Sequence, residues 1–242
     1  MSYVYTFKKC QDIFTRLGDS SYASRCSSTG SSVQATLDGH WTGSFMKESD
    51  NRPRDGAVIH AFSSFEAYPI TDNKVTQTIK ELSQSFCSEY SINQQEIKSG
   101  VPGILIGRYP GDSYAGGNPW QLLTAVTAKA FYQGALTLME SNGFQDEDDR
   151  QAWFDLLSLP QTASFDTQVE AAIGAGDAVM YRLYQHVKSD NGHIAEQIDR
   201  NNGAQKSAKD LTWSYANILS AMQFRDKASI ALTKLRQTTA TQ

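Results

Sequence analysis

The stretch NPWQLLTAVTAKAFYQGALTLME, Asn118–Glu140, decides the fold. Asn118 and Pro119 read as the cap and first position of a helix that reaches about Glu140. Between Leu122 and Met139 the only charged residue is Lys129, and apolar or small side chains occupy most of the circumference. A helix without a polar face must be buried almost all round, so this one belongs to an inner layer.

Its surroundings read as more helices. Asp72 is a plausible N-cap, and Val75, Ile79, Leu82 and Phe86 recur behind it at helical spacing to about Tyr90. The acidic run DEDDR, Asp146 to Arg150, precedes QAWFDLL and suits the positive end of a short helix dipole. From about Phe165 to Val187, Ala172, Gly176, Val179 and Leu183 form one column of small and apolar residues. A last helix is predicted to start near Ser207, with Leu211, Tyr215, Ile218 and Met222 on one side. Two more are expected before residue 46. The total is roughly seven helices without a convincing run of alternating strands, an all-α class. No sequence repeat is evident, although alternating inner and outer helices would suit a layered array. The links at about 47–71, 91–117 and 189–206 are too long for mere connectors and are expected to carry function.

Composition narrows the class of molecule. The 242 residues favour one domain spanning 1–242 with a substantial core. A net charge of −4 offers no basic stripe for phosphates, which argues against nucleic acid. No apolar run approaches the ~20 residues of a membrane helix. Cys10, Cys26 and Cys87 have no CxxC spacing, and at most one pair can form within the chain. The N-terminus lacks the features of a secretory signal, and no N-x-[ST] acceptor occurs.

Two of the long links hold the candidate chemistry. In GRYPGDSYAGGNPW, Gly107–Trp120, Arg108 supplies a planar fork of donors and Asp112 an acceptor, suited to the vicinal hydroxyls of a sugar. Tyr109, Tyr114 and Trp120 add aromatic faces for a sugar ring. The plainer alternative is a local Arg108–Asp112 ion pair ordering a Gly-rich turn, with Trp120 in the core. In the third link Glu196, flanked by Ile194, Ala195 and Ile198, suits general-base work on a water; an exposed loop carboxylate or a helix cap is the competing reading. Trp213 reads as core or as a ligand platform. His40, His60, His186 and His193 lack HExxH or Cys/His spacing, which argues against a metal site, and no phosphate-loop or GxSxG signature is present.

These same segments resemble the fungal glucoamylases of glycoside hydrolase family 15. GRYPGDSYAGGNPW is similar to the family's GRYPEDxY followed by GNPW. EQIDRNNGAQKSAKDLTWSYA, Glu196–Ala216, is similar to its EQYD, then G and SARDLTWSYA, and HWTGSF, His40–Phe45, resembles FWTGSF. The resemblance implies an (α/α)6 barrel and release of terminal glucose from starch or maltooligosaccharides with inversion; no cofactor is implied. By position, Glu196 is expected to be the catalytic base, Arg108 and Asp112 to bind sugar hydroxyls, and Tyr114, Trp120 and Trp213 to line the pocket. Gln197 stands beside the base as in the family pattern.

Three departures matter. Gly111 replaces the family's Glu, which puts an outer sugar subsite in question, and Ile198 replaces its Tyr, which puts a hydrogen bond near the base in question. The Glu-Glu motif that carries the family's general acid is absent. The chain is therefore expected to cover about the C-terminal half of the catalytic domain, an incomplete barrel without a starch-binding module. It is expected to be inactive alone, and to need a missing N-terminal half or a homodimer partner. A non-catalytic maltooligosaccharide-binding protein and a helical interaction scaffold are the alternatives. The family's habit points to secretion or the vacuole.

Overall fold

The computed structural model describes residues 1–239. Nine α-helices account for most of these residues: α1 (Ser2–Arg16), α2 (Ser20–Asp38), α3 (Ala57–Phe65), α4 (Asn73–Glu89), α5 (Ser91–Lys98), α6 (Gln121–Ser141), α7 (Glu147–Leu157), α8 (Phe165–Val187) and α9 (Thr212–Thr239). Two short strands, β1 (Gln197–Ile198) and β2 (Gln205–Lys206), pair antiparallel, with Gln197 opposite Lys206 and Ile198 opposite Gln205.

Helix α6 is the inner element that its composition requires: 14 of its 21 residues are buried. It packs against α3, α8 and α9. Small residues let those neighbours approach. A Cβ at Gly176 of α8 would sit 2.5 Å from the Tyr132 ring, and one at Gly134 of α6 would sit 2.4 Å from Trp153. Neither ring can easily yield, because the Tyr132 hydroxyl donates to Asp177 at 2.8 Å and the Trp153 indole N–H to the Thr71 carbonyl at 3.2 Å. Lys129 places its ammonium 5.1 Å from the Phe224 ring centroid, and burial pushes its pKa down. The α8 column Ala172, Gly176, Val179 and Leu183 is buried throughout.

Polar contacts fix the outer elements. Asp146 caps α7 by accepting from the Asp148 amide at 2.8 Å, while Asp149 reaches across to accept from Asn73 N–H at 2.7 Å, at the first residue of α4. Helices α1 and α2 form a hairpin held by a Cys10–Cys26 disulfide; Cys87 is a free thiol. HWTGSF folds into a tight turn in which Trp41 bridges Met46 and the Thr42 hydroxyl donates to the Phe45 carbonyl at 2.9 Å.

The structure corrects the sequence reading at several boundaries. Helix α6 begins at Gln121, not at Pro119 with Asn118 as its cap, because Trp120 is extended (φ −106°, ψ 128°) and pairs with Gln197. Helix α9 begins at Thr212, since Ser207 and Asp210 are left-handed (φ 65° and 51°). Two helices were hidden in the predicted links. Helix α3 is nine residues long and buries Val58, Ile59 and Phe62, and α5 is eight residues without a side-chain cap. On α9, Ser214, Ala221 and Ala228 are fully buried at seven-residue spacing, whereas Met222, expected inward, is half exposed with Leu219 and Ile230.

Gly176→Ala is expected to destabilise the chain by about 1–3 kcal/mol, because the added methyl overpacks a ring that cannot move. Urea unfolding checks this; a midpoint equal to that of the wild type would show that α6 and α8 have slack.

Candidate active site

Both candidate loops meet at the N-terminus of α6. The Trp120 amide donates to the Ile106 carbonyl at 2.9 Å, Ile198 N–H to the Pro119 carbonyl at 3.0 Å, and Gln121 N–H to the Glu196 carbonyl at 3.1 Å. Extended backbone thus runs from Ile106 through Trp120 to Gln197 and on to Lys206. Side chains repeat the stitch. Asn118 is buried; its amide donates to Gln197 Oε1 at 3.0 Å and to the Ala115 carbonyl at 2.9 Å, while its oxygen accepts from Arg200 N–H at 3.1 Å. Arg200 then donates to Glu89 Oε1 at 2.7 Å and to the Gly117 carbonyl at 3.1 Å, tying in the end of α4.

On the first loop, Arg108 and Asp112 form a bidentate pair, Nε to Oδ2 at 2.8 Å and Nη2 to Oδ1 at 2.7 Å. The Tyr114 amide adds a third bond to Asp112 Oδ1 at 3.0 Å. Burial pushes the Asp112 carboxyl up, but the bonds from Arg108 and the Tyr114 amide outweigh it and hold the group below the usual carboxylate range. The guanidinium lies 4.8 Å from the Tyr114 ring centroid and 5.6 Å from that of Trp120, close enough for cation–π attraction. A Cβ at Gly107 would collide with the buried Tyr90 hydroxyl, which explains the glycine that opens this motif. Gly111 has φ +77°, a conformation that would strain a side-chain-bearing residue such as the Glu of the family pattern.

On the second loop, Glu196 is only 9% exposed. Its Oε2 accepts from the Ser207 hydroxyl and from Gln197 Nε2–H at 3.2 Å. Ile198 is wholly buried in the core, so the donors at this carboxylate are Ser207 and Gln197.

The structure therefore brings Arg108, Asp112, Tyr114 and Trp120 together on one side of the Trp120–Gln197 bridge, with Glu196 and Gln197 on the other. Gln197 itself is fully buried, its amide spent on Asn118 and Glu196, which suits support of the carboxylate better than contact with sugar. Trp213 departs from its reading as core: it is 52% exposed on α9, with its ring 6.0 Å from His60. Each loop borders a cleft of its own: one of about 470 Å³ is lined by Tyr109, Arg52, Arg54 and Glu81, and one of about 340 Å³ by Ser207, Ala195, His193 and Asp210. Among the described residues no group of three or more His, Cys, Asp or Glu is arranged to hold a metal ion.

Sequence reasoning missed four contributors. Asn118 lay inside the quoted motif but was read as a helix cap. Ser207 was read as a helix start; its position eleven residues after Glu196 gives no periodic signal. Gln205 and the buried Asp55, whose carboxyl accepts from Ala57 N–H at 2.8 Å and whose pKa burial raises, carry no local signature.

An arginine–aspartate ion pair and a shielded glutamate are thus joined at the start of one inner helix. The sequence profile "Glycosyl hydrolases family 15" matches residues 7–223, and the chain belongs to that family. A glucoamylase of Blastobotrys adeninivorans is 33% identical over 190 residues, covering 70% of this chain and 30% of the relative. The solved glucoamylase of Hormoconis resinae superposes with a TM-score of 0.77 at 24% identity, covering 93% of this chain and 41% of that structure. The family 15 glucoamylase from Hypocrea jecorina gives 0.77 at 25% identity, with the same coverage. The chain thus has the helix arrangement of the (α/α)6 barrel and spans about two fifths of each of these two solved chains.

Asp112 sets an acid limit. Its depressed carboxyl contributes stability that is complete above the unfolded Asp value of about 3.9 and fades as pH falls through the lower folded value. The melting-temperature gap between the wild type and Asp112→Asn is expected to be full at pH 6 and to narrow below about pH 4. A gap that widens in acid would contradict this.

Proposed function

We propose that this chain, residues 1–242, forms the C-terminal portion of a single glucoamylase-type catalytic domain. Its substrate is the non-reducing end of starch or a maltooligosaccharide. The observation that carries this reading is the Trp120–Gln197 bridge, which sets the Arg108–Asp112 clamp and Glu196 on one scaffold.

In this reading Arg108 and Asp112 grip the hydroxyls of a terminal glucose. Tyr114 and Trp120 give the ring apolar walls, and the Trp120 indole N–H, buried without a partner among the described residues, offers a donor to a sugar oxygen. Trp213, half exposed, is proposed to meet sugar at the rim. Both bonds to Glu196 fall on Oε2, which leaves Oε1 for a water. Glu196 takes a proton from that water as its oxygen attacks C1, and the C1–O bond to the leaving glucose breaks. A second carboxyl, protonated and roughly 6.5–9.5 Å across, must protonate the leaving oxygen. We assign that acid to a segment or partner beyond the residues described, so that hydrolysis needs both. The Cys10–Cys26 disulfide supports an oxidising compartment such as the secretory route or the vacuole.

The test mixes the chain with a family 15 segment that carries the acid motif and follows maltose hydrolysis by the anomer first released. Inverted β-glucose is expected, with Glu196→Gln lowering the rate by about 10²–10⁴. Binding of maltotriose without hydrolysis under all conditions would instead favour a sugar-binding protein. Undiminished hydrolysis by Glu196→Gln would remove Glu196 as base.

A further inference from the structure

We propose that Gln205 is a positioning residue for Glu196, with Gln121 as its buried anchor on α6; this rests on the reading of Glu196 as the base. An amide side chain has two acceptor sites on oxygen and two N–H donors. Gln205 uses all four. Its Oε1 accepts from Ala195 N–H at 2.8 Å and from Gln121 Nε2–H at 2.7 Å. Its Nε2 donates to the His193 carbonyl at 2.8 Å and to Asp190 Oδ2 at 2.9 Å.

Three of these partners, Asp190, His193 and Ala195, lie on the segment that leads into Glu196. Between the end of α8 and β1, Asn191 and Gly192 both have positive φ; the backbone beyond them is tied by Leu211 N–H to the Ile194 carbonyl at 3.1 Å and by Glu196 N–H to the Ala208 carbonyl at 2.8 Å, which leaves the Ala195 N–H to Gln205. Gln121 ties it to the buried inner helix: the residue is fully buried at the start of α6, and its backbone N–H also holds the Glu196 carbonyl. Gln205 in turn is held by strand pairing opposite Ile198. Removing its amide strands the Ala195 N–H and the Gln121 amide, both buried, while the strand register can persist. The cost therefore falls on the height and tilt of the segment that aims Glu196.

The test is NMR on the full chain, with the Glu196 side-chain carboxyl resonance identified by its loss in Glu196→Gln. In Gln205→Leu, that resonance is expected to move and the Ala195 amide to exchange about tenfold faster or more, with protection retained inside α6. The control is Gly176→Ala, which overpacks the Tyr132 ring between α8 and α6, away from this segment. It is expected to lower overall stability and leave the Glu196 resonance in place, which separates positioning from bulk stability. An unmoved Glu196 resonance in Gln205→Leu, or the same movement in Gly176→Ala, would overturn the proposal. Because neither readout needs turnover, a chain that never hydrolyses maltose would count against the base assignment while leaving this result readable.

Discussion

One short piece of extended backbone organises the rest of the molecule. Trp120 gives up the first turn of α6 to pair with Gln197, and that exchange joins two loops at positions 77 apart in the chain. The trade is affordable because α6 needs no solvent-facing cap chemistry there: the Gln121 N–H, an otherwise unpaired donor at a helix start, is satisfied by the Glu196 carbonyl. The helix end and the glutamate loop thus complete each other's hydrogen bonding. Asn118 reinforces the joint from the side, bonding both loops within one buried amide.

Rigidity follows from where that joint sits. Helix α6 is surrounded by α3, α8 and α9, and glycines at 134 and 176 let aromatic rings close against it without voids. A clamp and a carboxylate mounted on such a helix keep their relative position better than the same groups on free loops. The bidentate Arg108–Asp112 pair adds local order, since a planar fork fixes both side chains at once. Glu196 is treated differently: its two bonds converge on a single oxygen.

Much of this was legible in the sequence for identifiable reasons. The apolar circumference of α6 and the small-residue column of α8 are periodic signals, and both elements appeared where those signals placed them. Helix α3 escaped because nine residues, AVIHAFSSF, are too short for a period to stand out, and α5 because its eight residues carry only Ile92 and Ile97 as apolar positions. The Arg108–Asp112 pairing could be read from side-chain chemistry within one short motif, and the structure shows it as a local ion pair with Trp120 buried beside it. The stitch between the loops could not, since a β-bridge of one residue and bonds such as Asn118 to Gln197 leave no pattern along the chain. The same limit hid Ser207 and Gln205, whose importance lies entirely in what they touch.

The central claim is that residues 108–120 and 195–207 act as one sugar-binding unit. Titrating isotope-labelled chain with maltotriose, and following the backbone amides, tests it most directly. Saturable shifts at Arg108, Asp112 and Trp120 that track those at Glu196, Gln197 and Ser207 with a single dissociation constant are the expected result. Shifts confined to one segment, or two different constants, would contradict it.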